Sequence, residues 1–206
     1  MSQHYKFSPN VNEVARRQWF FSEDDDYKLC RKHMFEYSKD ICNFLIQNKE
    51  LSVLEIGPAC KYYKESAQEF STAIIGETCE KNNIKYKTLD IISESKCDYI
   101  GSVEDLSFIE EKFDVIIMLG IIEHVPKLWK IPQSIYNATN SNANVFINTP
   151  FMFKVHGPIP DCWRISEYGF QSLFEDLFEI EISTFPEMER GKNSLPLSIN
   201  AILTRK

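Results

Sequence analysis

Phe113–Leu119, FDVIIML, constrains this chain more than any other stretch. It is near-continuously apolar, short, and free of turn formers, which reads as a strand buried on both faces. Strands of that kind belong to parallel sheets covered by helices on each side. The rest of the chain alternates accordingly.

Val53, Leu54 and Ile56, with Glu55 set among them, form a short run that stops at Gly57-Pro58. This reads as a first parallel strand running into a turn. Ile84–Asp90 (IKYKTLD) alternates and ends in an acid, giving a second strand, and Cys97–Gly101 gives a short third. Phe113–Leu119 is the fourth and Ala143–Asn148 the fifth. Leu177–Ser183 and Leu197–Thr204 are the last two, with Gly191-Lys192-Asn193 breaking the chain between them. Leu29, His33, Met34, Tyr37, Ile41, Phe44 and Leu45 recur at spacings of three and four, so the periodicity predicts a helix over Asp26–Asn48. Asp24–Asp26 suits its N-terminus, where acids meet the positive end of the helix dipole. Further helices are expected over Tyr63–Phe70, Thr72–Lys81, Lys127–Ala138 and Ser166–Glu175. Strands alternating with helices make an α/β domain, and the closing strand–loop–strand implies an antiparallel edge. Trp19-Phe20-Phe21 either packs on the long helix or forms a lid over the crevice.

Length and charge narrow the partners. With 206 residues, 43% hydrophobic and 26% charged, the chain fits one domain with a full core. A net charge of −7 argues against a broad nucleic-acid or anionic-membrane surface. No apolar run approaches the roughly 20 residues that span a bilayer, and MSQHYKFSPN lacks a signal-peptide pattern. Six cysteines are scattered without a C-x-x-C pair, as expected of reduced thiols in a cytoplasmic protein with no zinc site and no disulfide framework. No metal is expected.

Acids stand at strand ends. Gly57 lets backbone approach a ligand after strand one, and Asp90 closes strand two, where a carboxylate can accept from both hydroxyls of a ribose. Gly120 breaks the chain after strand four. The run LEIGP…LDI…VEDL…EKFDVIIMLGIIEHV, from about residue 50 to 150, resembles the class I S-adenosylmethionine-dependent methyltransferases, type 11 small-molecule branch. That resemblance implies a Rossmann-like seven-stranded sheet of order 3-2-1-4-5-7-6 with strand 7 antiparallel. It divides the domain into an N-terminal lid and helix (1–48), a cofactor-binding half (49–150), and an acceptor loop with the C-terminal strands (151–206).

Carried over by residue, the resemblance places the methionine part of S-adenosylmethionine against Glu55, Gly57, Pro58 and Ala59. Asp90 takes the ribose, Ile91 packs on the adenine, and Ser102, Val103 and Glu104 line its edge. The carbonyls near Leu119 and Gly120 receive the amino group, with His124 close by. The chain departs from the family pattern at Ala59, where a glycine is usual, and at Ser102, where an acid is common. A nicotinamide site fits less well, because GPACKY lacks the third small residue of G-x-G-x-x-G.

Asn148–Gly169, NTPFMFKVHGPIPDCWRISEYG, resembles a PF…HG…PxDxWR segment of methyltransferases associated with glycan and surface-polysaccharide gene sets. On that resemblance Phe151, His156, Trp163 and Arg164 line the acceptor pocket. Three of these have a plainer alternative: Arg164 braces the loop through Asp161, Trp163 sits in the core, and the His156-Gly157 pair is a turn. A hydroxyl acceptor needs a base within hydrogen-bond reach. His156 is the first choice, with Asp161 and His124 as alternatives. An anionic, phosphate-type acceptor would need Arg164 and no base. The expected acceptor is a sugar or sugar-linked small molecule methylated on oxygen. The alternatives are another metabolite such as a quinone precursor, or a catalytically inactive cofactor-binding scaffold. No nucleic-acid partner and no membrane insertion are expected, and the chain is read as a monomer or homodimer.

Overall fold

A computed structural model describes residues 25–58, 73–185 and 196–206. Trp19–Phe21, the 63–70 helix, Ala59 and the Gly191–Asn193 break lie outside the described residues. The architecture is one mixed sheet with helices on both faces. Its strands are β1 (Ser52–Ile56), β2 (Lys85–Asp90), β3 (Tyr99–Ile100), β4 (Phe113–Leu119), β5 (Thr139–Pro150), β6 (Phe178–Phe185) and β7 (Ser198–Arg205). The order is β3-β2-β1-β4-β5-β7-β6. β1 runs parallel to β2 and β4, and β4 to β5, while β7 is antiparallel to both β5 and β6. This is the order and the antiparallel strand that the sequence resemblance implied.

Helix α1 (Asp25–Gln47) and α2 (Ile74–Lys81) cover one face. Tyr37, Ile41 and Leu45 of α1 pack with Ile75 and Cys79 of α2 against Val53, Val115 and Ile117. α3 (Ile131–Ala138) and α4 (Glu167–Phe174) cover the other, where Ile131, Ile135, Phe170 and Phe174 meet Leu54, Ile116 and Met118. Val115 to Met118 are fully buried, which follows from a strand with apolar side chains on both faces. Burying each of these side chains stabilises the fold by about 1.5–3 kcal/mol. Ser166 caps α4, its Oγ accepting from the Gly169 N–H at 3.2 Å.

Three differences from the sequence reading have local causes. The 127–138 helix is shorter, because Pro132 lacks an N–H and fits only the first turn. The residues before it form a 3₁₀ turn, Leu128–Lys130. β3 has two residues instead of five, because the Asp98 carboxylate accepts from the Thr88 N–H at 2.9 Å and its hydroxyl at 3.0 Å, where a ladder would otherwise run. β5 starts four residues early, at Thr139, through a bulge opposite Phe113–Val115 with Asn142 at φ 60°.

α1 is tied to the last strand by buried polar contacts. Asn200 Nδ2 donates to His33 Nε2 at 3.3 Å, which leaves His33 Nδ1 to donate to Ser198 Oγ at 2.6 Å. Phe185 stacks on the imidazole at 4.1 Å. Burial pushes the His33 pKa down to about 4, so the ring is neutral. Tyr37 donates to the Ala201 carbonyl at 3.1 Å. No helix among the described residues is long and apolar enough to cross a membrane. The five described cysteines are free thiols, with Cys30, Cys42 and Cys79 buried.

Candidate functional site

The carboxyl ends of β2, β1 and β4 lie side by side, the place where open α/β sheets form their binding crevice, and glycines follow β1 and β4. Gly57 follows β1 at φ +71°, and its N–H donates to the Leu89 carbonyl at 2.7 Å. A Cβ there would sit 2.2 Å from Ile121 Cδ1. Gly120 follows β4 at φ +66°, its N–H bonded to the Asn148 carbonyl at 2.9 Å, with Met34 of α1 above it. Both turns therefore need the conformational freedom of glycine, and at Gly57 there is no room for a side chain either. Pro58 is buried beside Gly57.

Asp90, half-buried at the tip of β2, accepts from the Ile92 N–H at 2.9 Å, which shapes the turn after the strand. Ile91 next to it is 71% exposed, an apolar side chain left at the crevice rim. Ser102 Oγ accepts from the Glu104 N–H, and Glu104 in turn accepts from the Lys127 N–H. Val103 is buried in the core, so it meets any ligand only through its backbone. Leu119 and Gly120 are half-buried. Glu55 stands apart from this group. It faces the α1–α2 side of the sheet, its carboxylate accepts from the Tyr86 hydroxyl, and burial pushes its pKa up to about 7.

A second cluster lies just beyond β4. Ile122–His124 forms a 3₁₀ turn, and the Glu123 carbonyl accepts from the Cys162 and Trp163 N–H groups at 2.7 and 3.2 Å. These bonds fasten the 151–166 loop to the end of β4. The Glu123 side chain is 1% exposed, accepts from Thr149 Oγ1 at 3.1 Å, and has its pKa raised by burial. His124 Nε2 and His156 Nε2 lie 3.8 and 3.9 Å from Glu123 Oε1. The two imidazoles meet edge to face with centroids 5.0 Å apart.

Arg164 and Asp161 are paired as in the plainer of the two sequence readings, in which Arg164 braces the loop. All five guanidinium N–H groups are spent. Nη1 and Nη2 fork onto Asp161 at 2.6 and 2.7 Å and also donate to the Trp163 and Lys154 carbonyls, while Nε donates to Phe153. Arg164 is thus a brace and leaves no donor for an acceptor anion. Asp161 also accepts the His156 backbone N–H at 2.8 Å and faces His156 Nδ1 at 3.1 Å. Burial alone would raise its pKa, but Arg164 and His156 outweigh it and hold the carboxyl well below the usual range. So cationic a setting makes Asp161 a poor base, and it orients His156 instead. Trp163 is half-buried, packs against the core and donates Nε1–H to the Val125 carbonyl at 2.8 Å. Phe151 packs on the same core at the end of β5. The residue that sequence reasoning missed is Glu123. Its signal was an acid set between an apolar pair and a histidine, IIEH, where a surface acid has no reason to be.

No protein-family model matches the chain. Over 112 residues it is 29% identical to the tRNA U34 carboxymethyltransferase of Campylobacter jejuni subsp. jejuni, a match covering 53% of this chain. The chain spans 38% of the length of these curated relatives. Among solved structures it is similar to the N-methyltransferase NodS from Bradyrhizobium japonicum WM9 in complex with S-adenosyl-L-homocysteine (TM-score 0.57, 10% identity, 95% of this chain and 98% of that one). It is similar too to the CurJ carbon methyltransferase (TM-score 0.65, 14% identity, 96% and 59%). A third likeness is to the plantazolicin methyltransferase BpumL in complex with S-adenosyl-L-homocysteine (TM-score 0.56, 10% identity, 95% of each chain). At these identities the likeness establishes the fold, a Rossmann-like sheet of the class I methyltransferase kind.

Proposed function

We propose that this chain is an S-adenosylmethionine-dependent methyltransferase acting on a hydroxyl of a sugar or sugar-linked small molecule. One observation carries the first half of that reading. The strand order of this fold coincides with Gly57, Asp90 and Gly120 at the carboxyl ends of three adjacent strands. The residues fit the cofactor: two side-chain-free turns admit it, Asp90 offers a carboxylate to the ribose hydroxyls, and exposed Ile91 offers apolar surface to the adenine. When bound, the sulfonium supplies an electrophilic methyl group. Backbone at 57–58 and 119–120 would hold the amino-acid end, and Ser102 and Glu104 would border the base.

The chain's remaining task is to align an acceptor oxygen and accept its proton. His124 Nδ1 donates to the Pro160 carbonyl at 3.0 Å, which leaves Nε2 as a lone pair. His156 Nδ1 faces two acceptors, Asp161 Oδ2 and the Lys154 carbonyl, which leaves its Nε2 likewise. These two imidazoles and Glu123 are the proton-accepting groups. His124, with 11% of its side chain exposed against 3% for His156, is the more open of the two rings. Because Arg164 is fully engaged, a neutral hydroxyl suits the site better than a phosphate-type acceptor. The resemblance of the 151–166 loop supports a sugar. The free thiols support a reducing, cytosolic setting.

A second reading, a tRNA base as acceptor, is favoured by the name of the Campylobacter relatives, but the net charge of −7 counts against it. Calorimetric titration with S-adenosylmethionine and S-adenosylhomocysteine tests the cofactor. Micromolar binding that weakens at least tenfold in Asp90→Ala is the expected result. An absence of heat and of thermal shift with both ligands overturns the reading. Nucleotide sugars, phenolic quinone precursors and tRNA are then compared as acceptors.

A further inference from the structure

We propose that Glu123, His124 and His156 form a binding site for one divalent first-row transition metal ion of the zinc, cobalt or manganese kind. The sequence alone gave no sign of it, since the third ligand lies on a separate loop that folds back onto the first two.

Three ligand atoms converge: a carboxylate oxygen and two imidazole nitrogens, all within 4.8 Å of one another. Two edges of this triangle measure 3.8 and 3.9 Å. Ligand atoms around a tetrahedral zinc ion lie about 3.4 Å apart, so small side-chain rotations close the set. The ligands are oriented as metal ligands must be. A carbonyl oxygen only accepts, so Pro160, 3.0 Å from His124 Nδ1, puts the proton on Nδ1 and aims the Nε2 lone pair inward. Asp161 and the Lys154 carbonyl do the same for His156. A carboxylate–histidine pair held in turn by Arg164 is the outer support that fixes ring orientation in metal sites. Thr149 donates to the second oxygen of Glu123 and leaves Oε1 facing the two rings.

The cluster is buried, with the Glu123 side chain 1% and the His156 side chain 3% exposed. Two imidazoles with one carboxylate favour first-row transition ions over magnesium and calcium, which prefer all-oxygen shells. Three protein ligands also leave a coordination position open. Resting on the methyl-transfer reading, that position would take an acceptor hydroxyl and lower its pKa, so that its proton passes to solvent water as the methyl group is transferred, in place of a histidine or Glu123 base. The ion binding itself does not depend on that reading, and its test reads occupancy.

The full-length chain, stripped with EDTA, is titrated with Co²⁺ and Zn²⁺. One equivalent of Co²⁺ is expected to give visible d–d bands with no thiolate charge-transfer band in the near ultraviolet. Zn²⁺ at a hundredfold excess over its dissociation constant should raise the melting temperature by about 5–10 °C, and millimolar Mg²⁺ should not compete. Glu123→Gln, which keeps the shape and the Thr149 bond, and His156→Gln should each weaken binding at least tenfold. Cys162→Ser, which removes the exposed thiol nearby, should not. The proposal is overturned if the wild type binds no stoichiometric metal, or if its cobalt spectrum carries a thiolate band. Binding that survives both ligand substitutions overturns it too. The wild-type spectrum decides the matter if either variant fails to fold.

Discussion

Glu55 stores a pH dependence that can be read in a single difference curve. Its carboxyl lies in the core between the sheet and α1–α2. Burial lifts its pKa from the ordinary 4.5 to about 7, and the hydrogen bond from Tyr86 only partly opposes that. A carboxyl whose pKa is raised on folding binds its proton more tightly in the native state. The stability it contributes is complete below pH 4.5 and is lost as pH rises through 7. At about 1.4 kcal/mol per pH unit, the change integrates to about 3 kcal/mol. Glu55→Gln is neutral at every pH and keeps a carbonyl oxygen for the Tyr86 hydroxyl. Urea unfolding at pH 5, 6, 7 and 8 should show little difference between variant and wild type at pH 5. At pH 8 the variant should be more stable by about 3 kcal/mol, with unchanged m-values. Buried neutral His33, whose pKa is pushed down to about 4, works in the opposite direction: its contribution is present above pH 6.5 and lost as pH falls toward 4. It cancels in the difference between the two proteins. A flat difference from pH 5 to 8 would refute the reasoning.

Gly57→Ala should cost about 2–4 kcal/mol in chemical denaturation, from the left-handed backbone and from a Cβ placed 2.2 Å from Ile121 Cδ1; a neutral effect would mean the turn relaxes freely. Arg164→Lys removes the fork onto Asp161 and the carbonyl bonds to the loop, and should cost about 2 kcal/mol. Amide exchange should speed up selectively in the 151–166 segment. An altered acceptor KM with unchanged stability would instead restore Arg164 to acceptor binding.

The frame of the sheet was legible because its central strands carry unmixed signals. FDVIIML and VLEI are apolar on both faces but for one acid each, Asp114 and Glu55, and IKYKTLD ends in the acid that the turn after β2 uses. β5 was read short because its first half, TNSNA, is polar and bulged, and pairs beside β4 in spite of its composition. The crevice glycines were visible as breakers after apolar runs. The second cluster was only half visible. His124, His156 and Asp161 stood out as residue types, but their partners are set by a loop that folds back over residues about 30 positions earlier. No local periodicity encodes that return. Glu123 escaped notice because burial of an acid is a tertiary fact. The five hydrogen bonds of Arg164 are likewise tertiary facts, since four of their acceptors belong to backbone carbonyls and a carboxylate brought together only by the fold of the loop.

The place of β7 in the sheet also bears on how the chain is made. Among the described residues β6 hydrogen-bonds to no strand but β7, and α1 is held to β7 through His33–Ser198 and Tyr37–Ala201, contacts about 165 residues apart in sequence. A ribosome delivers α1 long before β7. While it works, the nascent chain holds a helix without its polar partners, a β5 edge with no neighbour and a β6 with none at all. The sheet can be closed only after Ser198–Arg205 has cleared the exit tunnel, so its closure waits on the most distant contacts of the fold. Until then the exposed strand edges are the stretch of the molecule that a chaperone has most reason to cover.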